Sequence, residues 1–227
     1  MLDDYFKDKI PEFNINNSLF VARPGLPFIL GLVLACLIAF FFDWNCLLVI
    51  FFLLLLFTVA FFRDPRRDPP PIGFGLSPAD GQIIRVDRGA TCPITLAKTI
   101  KVSVFMNVFN VHVNRVPCDA RLEGQMYFAG KFFNASFDKS STQNERNALI
   151  LNDDQNRQIV MIQIAGLIAR RIVSWVKPGQ SLTRGQRFGL IRFGSRVDLY
   201  LPPEAEIMVG LGQKVYAGWS PIWRFPN

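Results

Sequence analysis

Histidine and cysteine are scarce: there is one histidine, His112, and four cysteines, Cys36, Cys46, Cys92 and Cys118, in 227 residues. The cysteines show no Cys-x-x-Cys spacing and two lie inside apolar runs, so buried reduced thiols are expected rather than a disulfide framework. Without a histidine–cysteine cluster a zinc centre is not expected, and no other metal is. Residues 1–24 are polar, with Lys7, Lys9 and Arg23 among acids. They are too long and too mixed for the charged start of a signal peptide. Val33-Leu-Ala-Cys36 loosely resembles a lipoprotein cleavage box, but the apolar run continues through the cysteine. No lysine occupies a Met-Lys-Met-like turn, so covalent biotin or lipoate is not expected.

Apolar residues, by contrast, make up half of the chain, and 22 of them are phenylalanine. The formal charge of +7 is uneven: from Arg63 onward there are 22 Lys and Arg against 13 Asp and Glu, a difference of +9. Such a surface attracts nucleic acid or anionic lipid. Lipid is the expected partner, and nucleic acid is not, because two bilayer-length apolar runs lie next door. Residues 25–42 and 46–62 are uncharged and separated by Asp43-Trp44-Asn45. At about 1.5 Å per residue each makes a helix near the lower limit for crossing a hydrocarbon core of ~30 Å. A two-helix membrane hairpin over 25–62 follows. Arg23 precedes it and Arg63, Arg66 and Arg67 follow it, which places both ends on the cytoplasmic face, with Trp44 at the far interface.

After the stiff connector Asp68-Pro-Pro-Pro-Ile-Gly73, short Val/Ile/Phe runs broken by Gly, Pro, Asn and Asp predict a mainly β domain over 63–227. Two segments repeat at an offset of 33: Val176-x-x-Gly179-Gln180-x-Leu182-x-x-Gly185 and Val209-x-x-Gly212-Gln213-x-Val215-x-x-Gly218. A Gly-centred hairpin met twice suits a barrel-sandwich-hybrid-like fold. The alternation from Lys101 to Arg115 predicts a strand that would put Asn110, His112 and Asn114 on one face and Arg115 on the other. Asp80-Gly81 is by itself a hairpin-turn signal. Two strand-forming runs flank Gly194-Ser195, where a serine hydroxyl turned back on the preceding carbonyl has the geometry for an N-to-O acyl shift. A β-bulge with an ordinary serine fits the same residues.

Phe193-Gly-Ser-Arg-Val-Asp198, together with Ser77-Pro-Ala-Asp-Gly81, Asn110-Val-His-Val-Asn-Arg115 and Gly166-Leu-Ile-Ala-Arg-Arg-Ile172, resembles the short, membrane-bound branch of the phosphatidylserine decarboxylase proenzyme family. The resemblance implies self-cleavage between Gly194 and Ser195 into a β chain, 1–194, and an α chain, 195–227, held together as a heterodimer. Ser195 would become a pyruvoyl group, the self-made cofactor. Its carbonyl takes the amine of phosphatidylserine as a Schiff base and accepts the electrons left when carbon dioxide departs. Asp80 matches the aspartate that assists self-cleavage, and His112 the histidine that returns a proton after decarboxylation. Longer members carry a second histidine where this chain has Arg115. His112 therefore serves both steps or leaves the first to a water and Asp80.

Guanidinium groups suit phosphate or carboxylate, so Arg115, Arg196 and the neighbouring Asn114 are candidate substrate contacts, with Arg170, Arg171 and Arg192 as further arginines. The C-terminal Trp219-Ser-Pro-Ile-Trp-Arg-Phe225 is expected to rest in the bilayer interface or to cover the core. The expected protein is an inner-membrane decarboxylase with its catalytic domain in the cytoplasm. A membrane-tethered β-sandwich adaptor without catalysis, or the same chemistry on archaetidylserine, are the alternatives.

Overall fold

The computed structural model describes residues 20–70, 73–130, 143–166, 171–192 and 195–226. Gly194, Arg170 with most of its Gly166–Ile172 motif, and residues 1–19 of the N-terminal segment lie outside the described residues. The rest falls into two compact units, 20–66 and 67–226.

In the first unit, helices α1 (Leu26–Phe41) and α2 (Asn45–Phe61) form a hairpin. Pro24 and Pro27 stand where a helix start tolerates a missing N–H. Between the helices the chain reverses at Asp43, whose φ of 56° suits a short polar side chain that tolerates the left-handed region. Trp44 N–H closes the turn on Ala39 O at 2.8 Å, and the Trp44 ring stacks on Phe42. At the open end Ala22 N–H donates to Phe62 O and Asp64 N–H to Phe20 O, both at 2.7 Å. The remaining surface is apolar all round: Leu30, Leu34, Val49, Leu53 and Leu56 are each at least half exposed. A surface of that kind suits hydrocarbon neighbours better than water. The stretch Arg23–Phe41 is long and apolar enough to cross a bilayer, whereas α2 is somewhat shorter.

The second unit is β throughout, as its composition predicts. Its strands are β1 (Gly75–Leu76), β2 (Gly81–Thr91), β3 (Lys98–Met106), β4 (Val113–Arg115), β5 (Ala120–Phe128), β6 (Arg146–Asp153), β7 (Gln158–Ala165), β8 (Ile172–Ser174), β9 (Ser181–Leu182), β10 (Arg187–Ile191), β11 (Ser195–Leu201), β12 (Glu206–Ile207), β13 (Lys214–Val215) and β14 (Pro221–Arg224). An eight-stranded sheet runs β13-β2-β3-β11-β7-β6-β5-β9; two smaller ones run β4-β10-β8 and β1-β14-β12.

The two sequence repeats provide the edges of the large sheet. β9 comes from the first and β13 from the second, and they pair with β5 and β2 at opposite ends. Each repeat makes the same bonds: Gly179 N–H to Leu122 O and Gly212 N–H to Ile83 O, then Gly185 N–H to Val116 O and Gly218 N–H to Ser77 O. Gly185 and Gly218 then meet, since a Cβ on Gly218 would lie 3.4 Å from Gly185 Cα. The sheet therefore curls until its ends adjoin, and its inner face forms the main core with Val102, Val104, Leu149, Met161, Val197 and Leu199.

The strand expected from Lys101 to Arg115 is broken in the structure. β3 ends at Met106, and Asn107–Asn110 forms a turn locked by its own side chains: Phe109 N–H donates to Asn107 Oδ1 and Asn107 N–H to Asn110 Oδ1, both at 2.9 Å. Local asparagine bonds outcompete the ladder there. The C-terminal segment covers the core through Ile222 and Trp223, both buried, while Trp219 is exposed. All four cysteines are free thiols, but only Cys92 is buried as expected: Cys36 and Cys118 are half-buried and Cys46 is exposed on α2.

Candidate active site

Ser195 opens β11, the central strand of the large sheet, and has no exposed surface. It pairs with Met106 on β3 and Ala165 on β7. Alternation along β11 sends Val197 and Leu199 into the main core and Tyr200 into a second cluster on the opposite face. Ser195 shares the inner face, and its Oγ lies 3.9 Å from Met106 Sδ, a weak acceptor.

His112 and Asn114 reach the same neighbourhood from β4 and the residue before it. β4 pairs with β10, and Ile191 N–H reaches His112 O at 3.4 Å, so His112 sits beside the strand that leads directly towards Ser195. Both side chains are fully buried. His112 Nδ1 lies 2.9 Å from Asn110 O. A carbonyl oxygen only accepts, so Nδ1 carries a proton; in the neutral ring Nε2 is then the acceptor, the form that can take a proton from a hydroxyl. Asn114 Nδ2 donates to Met106 Sδ at 3.6 Å, while its Oδ1 accepts from Gln163 Nε2 at 2.8 Å. Gly189 on β10 makes room for that contact, since a Cβ there would stand 3.1 Å from Gln163 Nε2 and 2.5 Å from Val173 O.

Asp80 is 4% exposed at the start of β2. Both guanidinium nitrogens of Arg67 donate to its carboxylate, the Nη2 bond at 2.7 Å, and Ala217 N–H donates to Oδ1 at 2.8 Å. Gly81 follows against Phe105 O, with no space for a side chain. The turn that carries Asp80 is thereby fixed to β3, whose last residue, Met106, faces Ser195. Asp119 occupies the equivalent place beside the other repeat, where its Oδ1 accepts from Arg184 N–H at 2.9 Å.

The arginines separate. Arg115 is buried away from Ser195, with Nη1 donating to Gly185 O at 3.2 Å. Arg196 alternates to the opposite face of β11, where Asp198 holds Nε at 2.8 Å. Arg192 and Arg171 lie together, with Arg192 N–H donating to Arg171 O at 3.3 Å. Partial burial, and then the Arg171 charge, push the Arg192 guanidinium below its ordinary range. Among the described residues no cluster of His, Cys, Asp and Glu suited to a metal is present.

Sequence reasoning misses Arg67, Met106 and Gln163. Gln163 alone leaves a trace, as the one polar residue in the apolar run Ile159-Val-Met-Ile-Gln-Ile-Ala165.

The sequence model of one family, phosphatidylserine decarboxylase, matches residues 54–222. A phosphatidylserine decarboxylase proenzyme of Nitrosomonas eutropha is 51% identical over 207 residues, covering 90% of this chain and 95% of its own length. One of Syntrophus aciditrophicus is 47% identical over 214 residues, 93% of this chain and 100% of its own. One of Burkholderia cenocepacia is 49% identical over 203 residues, 87% and 92% respectively.

Proposed function

The chain belongs to the phosphatidylserine decarboxylase family, and from that premise we propose that it converts phosphatidylserine to phosphatidylethanolamine and CO2 with a pyruvoyl group made by cutting its own Gly194–Ser195 bond. The observation that carries this reading is Ser195 itself: a fully buried hydroxyl at the head of the central strand, 3.9 Å from the sulfur of Met106, which also accepts from Asn114.

The proton of Ser195 Oγ passes to His112 Nε2 as Oγ attacks the Gly194 carbonyl carbon. Collapse breaks the C–N bond, returns the proton to the amine and leaves an ester. Elimination then frees the Gly194 carboxylate and an N-terminal enamine, which water hydrolyses to the ketone with release of ammonia. Once formed, the pyruvoyl carbonyl supplies the electron sink for decarboxylation. The residues present fit such a group, because Ser195 is enclosed and Asn114 offers N–H donors on its inner side. Arg171 and Arg192 bind the lipid phosphate or the serine carboxylate, and His112 delivers the proton to the product carbon. Asp80 is a positioning residue that anchors the Ser77–Gly81 turn through Arg67 and Ala217.

After cleavage the fragment starting at Ser195 stays in place. β11 lies between β3 and β7, and β13 and β14 pair with β2 and β1, all from the other fragment. The apolar hairpin anchors the enzyme in the cell membrane with the β unit on the cytoplasmic side. Intact mass of the purified protein tests the reading: two fragments are expected, divided before residue 195, the smaller with a blocked, carbonyl-reactive N-terminus. In Ser195→Ala one uncut chain is expected. A wild-type chain that stays whole while decarboxylating lipid overturns the reading.

A further inference from the structure

Four side-chain amides cross the interior of the β unit in single file and end beside Ser195. Gln125 Nε2 donates to Asn147 Oδ1 at 3.0 Å, Asn147 Nδ2 to Gln163 Oε1 at 2.9 Å, Gln163 Nε2 to Asn114 Oδ1 at 2.8 Å, and Asn114 Nδ2 to Met106 Sδ at 3.6 Å. The same sulfur faces Ser195 Oγ. Asn147, Gln163 and Asn114 are buried to within 1%, whereas Gln125 at the outer end is half-buried on β5.

Every bond in the row points the same way, and the inner end decides the direction. A thioether sulfur accepts but cannot donate. Asn114 must therefore turn its NH2 towards Met106 and Ser195, which leaves Oδ1 for Gln163, and each amide beyond follows in turn. Aligned amide dipoles reinforce one another, so the terminal N–H is a stronger donor than an isolated asparagine would offer. That donor rests on a weak acceptor, the same sulfur that faces the hydroxyl whose attack creates an oxyanion.

We propose that Gln163, Asn147 and Gln125 are positioning residues for self-cleavage. They lock Asn114 with its N–H groups, not its carbonyl, towards the oxygen that gains negative charge as Ser195 attacks, so that Asn114 acts as an oxyanion donor. This inference rests on Ser195 being the cleavage residue. The row matters through its polarity: reversing it is worse than interrupting it.

The test follows cleavage of the full chain, synthesised cell-free into lipid nanodiscs and chased on denaturing gels. A carboxylate at position 125 has no N–H, so in Gln125→Glu each amide turns over in sequence and Asn114 presents its oxygen to the site. Cleavage slows by about tenfold or more, in keeping with loss of an oxyanion donor. Gln125→Met removes one bond without reversing the rest and stays within about threefold of wild type. In a Gln163→Met background the row is already cut, and adding Gln125→Glu changes the rate by less than about twofold. A purely structural effect of the new carboxylate would persist there. Thermal unfolding checks that the variants fold, and Asn147→Asp, which reverses the row one step further in, replaces Gln125→Glu if that chain does not.

The proposal is overturned if Gln125→Glu cleaves as fast as Gln125→Met, or if its defect survives undiminished in the Gln163→Met background. Wild-type chain uncut before residue 195 would instead remove the reading of Ser195, and this inference with it.

Discussion

Asp198 has no exposed surface and lies between Lys101 Nζ at 3.0 Å and Arg196 Nε at 2.8 Å, on the face of β11 turned away from Ser195. Two cations share one buried carboxylate, so its removal takes a counter-charge from both. Asp198→Ala is expected to destabilise the fold by about 3–5 kcal/mol, measured by denaturant or thermal unfolding. Arg196 therefore carries structural charge. Arg192, beside Arg171, is different in kind. Arg192→Ala is expected to raise KM for phosphatidylserine about tenfold or more with little change in kcat, since a phosphate contact held equally in ground and transition states is uniform binding. A fall in kcat at unchanged KM would count against that role. Burial pushes the Cys118 thiol far up, with Asp153 and Asp119 adding to the effect. Cys118 should stay unmodified by iodoacetamide at pH 8 in the folded enzyme and react on unfolding.

At the scale of elements, the two glycine hairpins do one job twice. Each gives an edge strand, and each turn is held by an aspartate: Asp80 on Ala217 N–H, Asp119 on Arg184 N–H. At Gly218 the φ of 68° and the 2.7 Å approach that a Cβ would make to Arg115 Cδ both demand glycine. Asp119→Ala is expected to lower stability by about 1 kcal/mol through its lost Arg184 N–H bond, and Asp80→Ala by more, about 2–3 kcal/mol, because it also leaves Arg67 without its carboxylate and orphans the buried Ala217 N–H. Only Asp80→Ala should also slow self-cleavage, because its turn is the one attached to β3 beside Met106. Equal cleavage rates in the two variants would reduce Asp80 to a structural cap.

For the whole molecule, pH acts through Tyr200. Burial, and then Asp198, raise its phenol above the ordinary value. The unfolded chain then loses that proton first as pH climbs past about 10, so it binds fewer protons than the folded one and stability falls with rising pH. Melting temperature should drop between pH 9 and 11, and less steeply in Tyr200→Phe. Apolar burial and charge attraction act on a bilayer in different ways, and the hairpin offers the first while the basic balance after Arg63 offers the second. High salt should therefore leave the full chain on anionic vesicles in a flotation assay, since screening weakens charge contacts but not apolar burial.

Composition and spacing were enough to establish the apolar helices, the β class of the remainder and the paired glycine repeats, because each is a local signal of one or two elements. The helices run Leu26–Phe41 and Asn45–Phe61, as apolar run length and the Asp43 turn require. The break of the strand at Asn107 depended on side-chain bonds among three residues, which alternation does not register. Pairing across distant strands was beyond the sequence. Arg115 and Arg196 look as available as Arg192 when read in line, and only the curl of the sheet turned the first towards Gly185 and strand alternation the second towards Asp198. Gln125, Asn147, Gln163 and Asn114 stand far apart along the chain; tertiary structure alone put their amides in register, because a hydrogen-bonded row exists only once β4 through β7 have stacked.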